Sequence, residues 1–312
     1  MSQVEAPAAA VGGVGTPGSA ASAVPVPVPV SGPRQAGVAG YLALFVSELV
    51  LTFRRMRTLA LLGVLAAVPV LIGVVVKIET GGLHGGGDGG PAFLAQVTQN
   101  GVFLTFTALA ASLPVFLPMT VGVVAGDSVA GEAATGTLRY LLVAPAGRSR
   151  LLAAKFAAAM AFCLAATLAV SLSALIAGSI LFPVGDVTLL SGDTIGLGSA
   201  LLRVLLISGV VALSLSGLVA IGLFISTLTG SGIAAMASTV GLVIIVQVLD
   251  SFPQLHSIQP YLFTHHWLTF ADLLRQPMYW DGVWQNLGLQ ALYVAIFGSA
   301  AWARFTSRDI TA

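Results

Sequence analysis

The chain has 312 residues, of which 57% are hydrophobic and only 8% charged. Soluble domains carry about 25% charged residues, so this composition excludes a soluble globular fold. The formal net charge of +1 gives no indication of a nucleic-acid partner, and the single cysteine excludes an intrachain disulfide framework and a cysteine zinc site.

Residues 1–40 are rich in Ala, Pro, Gly and Val and almost free of charge. The segment has neither an apolar helical pattern nor the features of a cleavable signal peptide, and it predicts a disordered tail. We therefore expect two parts, the tail at 1–40 and a transmembrane domain at 41–312, with the first span acting as an uncleaved anchor.

Residues 41–57 predict an amphipathic helix before the first span. Leu42, Phe45, Leu49 and Phe53 recur at three- and four-residue spacing, and Glu48 belongs to the predicted polar face, with arginines at its end. Two interpretations remain open, a helix lying in the membrane interface or an extension of the first span.

The rest of the chain contains apolar blocks of the length that crosses a bilayer as a helix. We predict an all-α membrane protein with six spans, at about 58–76, 102–125, 156–182, 201–228, 233–249 and 286–303. Pro114 and Pro118 should kink the second span or leave carbonyl groups free. The predicted spans contain almost no charged residues.

Basic residues predict the orientation of the spans. Six spans place both termini on one side, which we expect to be cytoplasmic. That side would hold most of the 13 lysines and arginines, namely Arg34, Arg54, Arg55, Arg57, Arg139, Arg148, Arg150, Lys155, Arg304 and Arg308.

The aromatic segment from Pro260 to Trp284 precedes the last span. It predicts a short helix on the outer leaflet or, equally, a plain aromatic belt, because aromatic rings favour the membrane interface. The four histidines lie outside the predicted spans, and polar loop positions explain them better than metal ligation does.

The polar segment from 126 to 155, between the second and third spans, predicts a short amphipathic helix at about 128–143. Asp127 or Ser128 is suited to cap its N-terminus, and Glu132 would lie in its first turns. An apolar leucine stripe follows Gly136, with Arg139 on the opposite face. Pro145 would end the segment. Arg148, Arg150 and Lys155 would meet phosphate head groups.

This ordered set resembles the signature of type-2 ATP-binding-cassette (ABC) transporter permeases, the membrane subunits of many bacterial exporters. The residues that carry the resemblance are Asp127, Glu132, Gly136, Thr137, Leu138, Leu141, Leu142, Pro145, Arg148 and Lys155. The resemblance implies that the 128–143 helix couples to an ATPase, with Glu132, Arg139 and Arg148 docking or anchoring it.

The ATPase must then be a separate chain. A phosphate-binding loop needs a lysine followed by Ser or Thr, but Lys77 precedes Ile78 and Lys155 precedes Phe156. The resemblance implies two ATPase copies that carry ATP and Mg, a second permease chain in a homo- or heterodimer, and a multi-pass location in the bacterial cytoplasmic membrane. No catalytic, cofactor or metal site is expected on this chain.

A stand-alone channel or scaffold protein without an ATPase is the alternative. Proton-coupled transport is disfavoured because ionisable residues at mid-membrane usually mark such transporters, and the predicted spans contain almost none. The same lack of charge favours a hydrophobic or amphipathic cargo. The substrate itself does not follow from the sequence.

Overall fold

The computed structural model describes residues 38–81, 92–134, 147–189 and 191–307. The predicted N-terminal tail lies outside these residues except at its last positions, where the first helix begins. The α-helices of the described chain are Val38–Arg54 (α1), Met56–Gly81 (α2), Ala92–Gln99 (α3), Phe103–Ser112 (α4), Phe116–Ala134 (α5), Arg148–Leu181 (α6), Leu197–Ser214 (α7), Ser216–Leu228 (α8), Gly232–Asp250 (α9) and Asp281–Ser307 (α10).

Two other kinds of element complete the described fold. Val187–Thr188 (β1) pairs antiparallel with Thr194–Ile195 (β2), with Val187 opposite Ile195. Between α9 and α10 the chain forms 3-10 turns at Pro253–Leu255, Gln259–Tyr261 and Trp267–Leu274. The described structure is therefore mostly helical, in agreement with the predicted all-α class apart from one two-residue strand pair.

Four helical segments are long and apolar enough to cross a membrane, by length and composition. They are Met56–Glu79, Arg148–Leu181, Leu197–Leu228 and Gly232–Asp250, and a fifth arises if the bent pair α4 and α5 is one span. Large apolar side chains on these helices face outward, including Leu202 and Ile233. Because lipid can cover such side chains but water cannot do so cheaply, this is the surface of a membrane protein.

The predicted kink in the second span is confirmed. The helix breaks at Leu113–Val115, and α4 and α5 meet at a bend of 55°. Proline removes a helical hydrogen bond and frees a carbonyl within the bilayer. The side-chain amide of Gln247 on α9 donates to the carbonyl oxygen of Pro114, which satisfies a backbone group at the break.

Helix α6 is the longest element and contacts α1, α2, α4 and α7. At about 1.5 Å per residue its 34 residues exceed the hydrocarbon thickness of about 30 Å. Near its C-terminal end, Gly178 meets Gly101 so closely that a Cβ on either would overlap the carbonyl oxygen of the other. Glycine at both positions lets the turn before α4 pack against α6.

Helix α10 packs on α8 and is anchored by buried polar side chains. Asn286 donates to the hydroxyl of Ser214, at 2.6 Å, just before the break between α7 and α8. Gln290 accepts from the backbone N–H of Gly217 and donates to the carbonyl oxygen of Phe263. These amides are paired within the protein, as polar groups between membrane helices need to be.

One feature of the N-terminal segment differs from the sequence-based prediction. Glu48 is buried against α6 instead of belonging to an exposed polar face, while Leu42 and Val46 are exposed.

The aromatic segment contains a short helix, which is a 3-10 helix at Trp267–Leu274. Trp267 and Phe270 are buried against the bundle, whereas Tyr261 and Trp284 are exposed.

Candidate functional site

Glu132 and Lys155, two residues of the predicted motif, form a buried ion pair. Glu132 lies in the last turn of α5 and Lys155 in the second turn of α6. Their Oε1 and Nζ atoms are 2.5 Å apart, and the side chains are only 5% and 2% exposed. Buried charges of this kind require close pairing, because desolvation of an unpaired ion costs several kcal/mol.

Glu48 on α1 gives Lys155 a second carboxylate partner. The Lys155 ammonium group donates to Glu48 Oε2 at 2.9 Å. An ammonium group has three donors and no acceptor, so it can bind two carboxylates from different helices at once. Lys155 thereby connects α1, α5 and α6 through charge-assisted hydrogen bonds, which are about twice as strong as neutral ones.

Asp127, one turn further into α5, binds two arginines. Arg55, at the bend between α1 and α2, donates through Nη1 to Asp127 Oδ2 at 2.5 Å, and Arg57 in the first turn of α2 donates through Nη2 to the same oxygen. The carboxylate is buried whereas the two guanidinium groups are partly exposed. Asp127 therefore fixes the bend between α1 and α2 against α5.

These residues form one set, which we call the ionic cluster. Its members carry three negative and three positive formal charges, so the cluster is neutral as a whole. They are Glu48, Arg55, Arg57, Asp127, Glu132 and Lys155. A neutral set with close contacts reduces the desolvation penalty of burying charges among apolar helices.

A small cavity of about 30 Å³ lies among the cluster side chains and opens between α1 and α5. Its size suits about one or two water molecules and no larger ligand. The described residues contain no group of three or more His, Cys, Asp or Glu side chains placed to hold a metal ion. Ion pairs that join α1, α2, α5 and α6 suit a mechanical role, namely holding four helical elements in register.

One sequence-based prediction about this region is wrong. Asp127 and Ser128 do not cap a new helix, because α5 runs without interruption from Phe116 to Ala134. Asp127, Glu132 and Lys155 lie just outside the predicted spans but are buried within helices. Their ion pairs compensate the carboxylates and allow α5 to continue past them.

Arg148 belongs to a different contact. Its Nη1 donates to the carbonyl oxygen of Thr306 at 2.9 Å, which joins the start of α6 to the end of α10. Trp302 on α10 donates through Nε1 to the hydroxyl of Ser149 beside it. A small apolar cluster with Leu151 and Phe305 covers the same junction. Arg148 thus anchors the start of α6 without joining the ionic cluster.

The remaining motif residues lie outside the described residues. They fall between the end of α5 and the start of α6, and they are Gly136, Thr137, Leu138, Arg139, Leu141, Leu142 and Pro145. Most of the predicted 128–143 coupling helix falls there as well. Its first part, residues 128–134, belongs to α5.

Glu48, Arg55 and Arg57 were not predicted to belong to the site. Glu48 and Lys155 are 107 positions apart, so no local spacing relates them. The only available signal was that Glu48 is the one acidic residue in the apolar stretch of α1.

A family model described as "Protein of unknown function (DUF2705)" matches residues 83–311. The chain belongs to this family. The DUF2705 match includes α5 and α6, and hence Asp127, Glu132 and Lys155, whereas Glu48, Arg55 and Arg57 precede it. No curated protein matches this sequence.

Proposed function

We propose that this DUF2705 protein is the membrane-spanning permease subunit of an ABC exporter in the bacterial cytoplasmic membrane. ATP would be hydrolysed by two copies of a separate ATPase chain, and a second permease chain would complete the transporter. The segment at about 128–143 would couple the ATPases to the helices. The resemblance of the motif residues and the position of the ionic cluster support this proposal.

We propose a six-span arrangement for this chain. Four segments and the bent α4–α5 pair supply five candidate spans. Helix α10 would be the sixth, since its 27 residues are long enough and its polar residues Asn286 and Gln290 are buried and paired with other helices. With six spans both termini lie on the side rich in basic residues, which we propose is cytoplasmic.

The position of the ionic cluster is the observation that carries the coupling mechanism. Glu132 lies just before the 135–146 segment and Lys155 lies a few turns after it. The two residues bind each other, and Lys155 also binds Glu48 on α1. A push on the intervening segment would therefore reach α1, α5 and α6 together, because short charge-assisted contacts resist independent movement of the helices.

Arg148 would complete the anchor on the C-terminal side of the same segment. Its bond to Thr306 joins the start of α6 to the end of α10. Movement of the proposed coupling segment would thus act on the last helix as well as the first. This proposal gives Glu132 and Arg148 an anchoring role, while direct docking on the ATPase is assigned to the intervening segment, including Arg139.

The first test is purification of the tagged full chain from mild detergent, followed by an ATPase assay of the co-purified protein. We expect a separate ATPase chain to co-purify and to hydrolyse ATP. Purification of the chain alone, as a stable oligomer and with no associated ATPase in the membrane extract, would reject the exporter proposal. The alternative of a stand-alone channel or scaffold would then be tested by conductance measurements.

The second test separates coupling from assembly. Glu132→Gln keeps the shape of the side chain but removes its charge, and it should lower ATPase activity in the complex while the ATPase remains bound. Arg148→Ala should act in the same direction. Glu79→Gln is the matched control, because Glu79 is an exposed carboxylate at the end of α2. Full activity in both test variants would contradict the anchoring role.

A further inference from the structure

A groove runs along one face of α4, on the part of the molecule remote from the ionic cluster. One cavity of about 390 Å³ lies between α4 and the 3-10 turn at Trp267–Leu274. A second, of about 220 Å³, lies beside it, next to the helix break at Pro114. Both cavities border Leu268, and the α4 residues that line the larger cavity recur at helical spacing. We call these two adjoining cavities together the α4 groove.

The two ends of the α4 groove differ in chemistry. The larger cavity is lined almost entirely by apolar and aromatic groups, including Phe103, Phe106 and Phe270. The smaller cavity is lined by the polar residues Thr264 and Asp250, among others. Binding sites for small molecules combine such apolar walls with a few placed polar groups, and typical volumes are about 300–1,000 Å³.

Thr264 places a buried hydrogen-bonding group at the polar end. Its residue is 7% exposed, and its hydroxyl group has no hydrogen-bond partner in the described part of the chain. An unpaired buried hydroxyl costs about 1–3 kcal/mol, so a polar group that entered the cavity and paired with it would be favoured. Valine would have filled the same volume without this penalty.

Asp250 determines the charge that the polar end prefers. It is the one carboxylate that lines the smaller cavity within the described residues, and His265 donates to or shares a proton with its Oδ1 at 2.7 Å. A carboxylate can accept about four hydrogen bonds, so Asp250 retains acceptor capacity beyond this contact. An anionic head group would be repelled there, whereas an ammonium group would find a charged acceptor.

We propose that the α4 groove binds a cationic amphiphile, with its protonated amine against Asp250 and Thr264 and its alkyl chain along α4. The Thr264 hydroxyl accepts from the ammonium group, and the Asp250 carboxylate supplies the countercharge. The alkyl chain takes the place of solvent or lipid against Phe103, Phe106 and Phe270. This inference does not rest on the exporter proposal, because binding requires no ATPase.

The test is equilibrium binding of radiolabelled dodecylamine to the full chain in phosphatidylcholine nanodiscs, with binding to empty nanodiscs subtracted. We expect saturable binding at one site per chain. Dodecanol serves as the second probe, because it has the same alkyl chain without the charge. We expect dodecanol to bind at least tenfold more weakly.

Three variants locate the site. Asp250→Asn should weaken dodecylamine binding at least tenfold and leave dodecanol binding unchanged, which also shows that the variant is folded. Thr264→Val should weaken dodecylamine binding about threefold. Ala110→Phe fills the apolar part of the groove and should abolish saturable binding of both probes.

Asp272→Asn is the matched control, since Asp272 is an exposed carboxylate on the same 3-10 turn. Its dodecylamine affinity should equal that of the unmodified chain. Binding that does not exceed that of empty nanodiscs would overturn the proposal. Equal binding of the amine and the alcohol, or affinities that Asp250→Asn and Ala110→Phe leave unchanged, would overturn it too.

Discussion

The ionic cluster and the α4 groove belong to the same bent helix pair but treat polar groups in opposite ways. At the α5 end, six buried or half-buried charges pair with one another around a cavity of about 30 Å³. At the α4 end, a buried hydroxyl has no partner within the described residues, and larger cavities remain. One end pairs charge with charge around a small cavity, and the other combines a buried hydroxyl with larger cavities.

This difference suggests that the ionic cluster serves stability and the α4 groove serves binding. Paired charges between helices resist relative movement and are costly to disturb. An unpaired hydroxyl beside a cavity weakens the folded state and provides a point for a ligand to bind. We therefore expect substitutions in the ionic cluster to lower stability and substitutions in the α4 groove to alter binding.

Lys155→Met should have the largest effect on stability. It leaves Glu48 and Glu132 buried without their shared cation, and breaking such a pair costs about 3–5 kcal/mol. Thermal unfolding in detergent measures the loss. Lys77→Met is the control, because Lys77 is the other lysine of the chain and is exposed on α2. Similar melting temperatures for both variants would contradict a stabilising role for the buried Lys155 pairs.

Asp127→Asn should have a smaller effect in the same direction. It removes the charge that Arg55 and Arg57 share, but both guanidinium groups are partly exposed and can reach solvent or lipid head groups. We expect a loss of about 1–2 kcal/mol in thermal unfolding, within the range for charged hydrogen bonds after screening. Asp193→Asn, in the exposed loop after α6, should leave the melting temperature unchanged.

Thr264→Val should have the opposite effect to the two preceding substitutions and raise the stability of the folded state. The substitution keeps the side-chain shape and removes the unpaired hydroxyl, so the folded state should gain about 1 kcal/mol or less in the absence of ligand. The same thermal unfolding assay detects the gain. Thr269→Val is the control, because the Thr269 hydroxyl donates to the carbonyl oxygen of His266. A large loss of stability in Thr264→Val would show that its hydroxyl is already satisfied.

The smallest expected effect is a pH dependence near the α4 groove. Burial first, and then the neighbouring His265, lower the pKa of His266, although a backbone contact at Pro260 and the charge of Asp250 oppose the shift. The unfolded chain, with an ordinary histidine pKa of about 6.5, therefore binds the proton more readily. The stability should be fully present above that pH and fall as the pH decreases through the lowered pKa.

Thermal unfolding at pH 7.5 and 5.5 measures this dependence. His266→Gln should reduce the difference between the two melting temperatures, since glutamine does not titrate. His256→Gln is the control, because His256 is exposed in the same segment. An unchanged pH dependence in His266→Gln would contradict the assignment.

The sequence predicted the apolar helices well but not their ends. Hydropathy found the regions of α2, α6, α7–α8 and α9, and the prolines gave the bend between α4 and α5. It placed the end of the second span at about residue 125, and the helix itself continues to Ala134. The sequence did not predict this continuation, because the partners of the charged residues in the last turns of α5 lie on distant parts of the chain.

For the candidate site, local sequence identified Asp127, Glu132 and Lys155 and missed Glu48, Arg55 and Arg57. The first three belong to one ordered motif, while the others precede it by 70 positions or more. The α4 groove was not predictable either, since it joins one face of α4 to a 3-10 turn far along the chain.

The sequence by itself determined that the chain is a helical membrane protein, because apolar length and scarcity of charge are additive properties of consecutive residues. Only the tertiary structure decided whether each charge lies on the surface or inside. That outcome depends on a countercharge brought close by folding, as Lys155 is to Glu48 and Glu132. The unpaired hydroxyl of Thr264 follows the same rule, since its burial is set by the helices that pack around it.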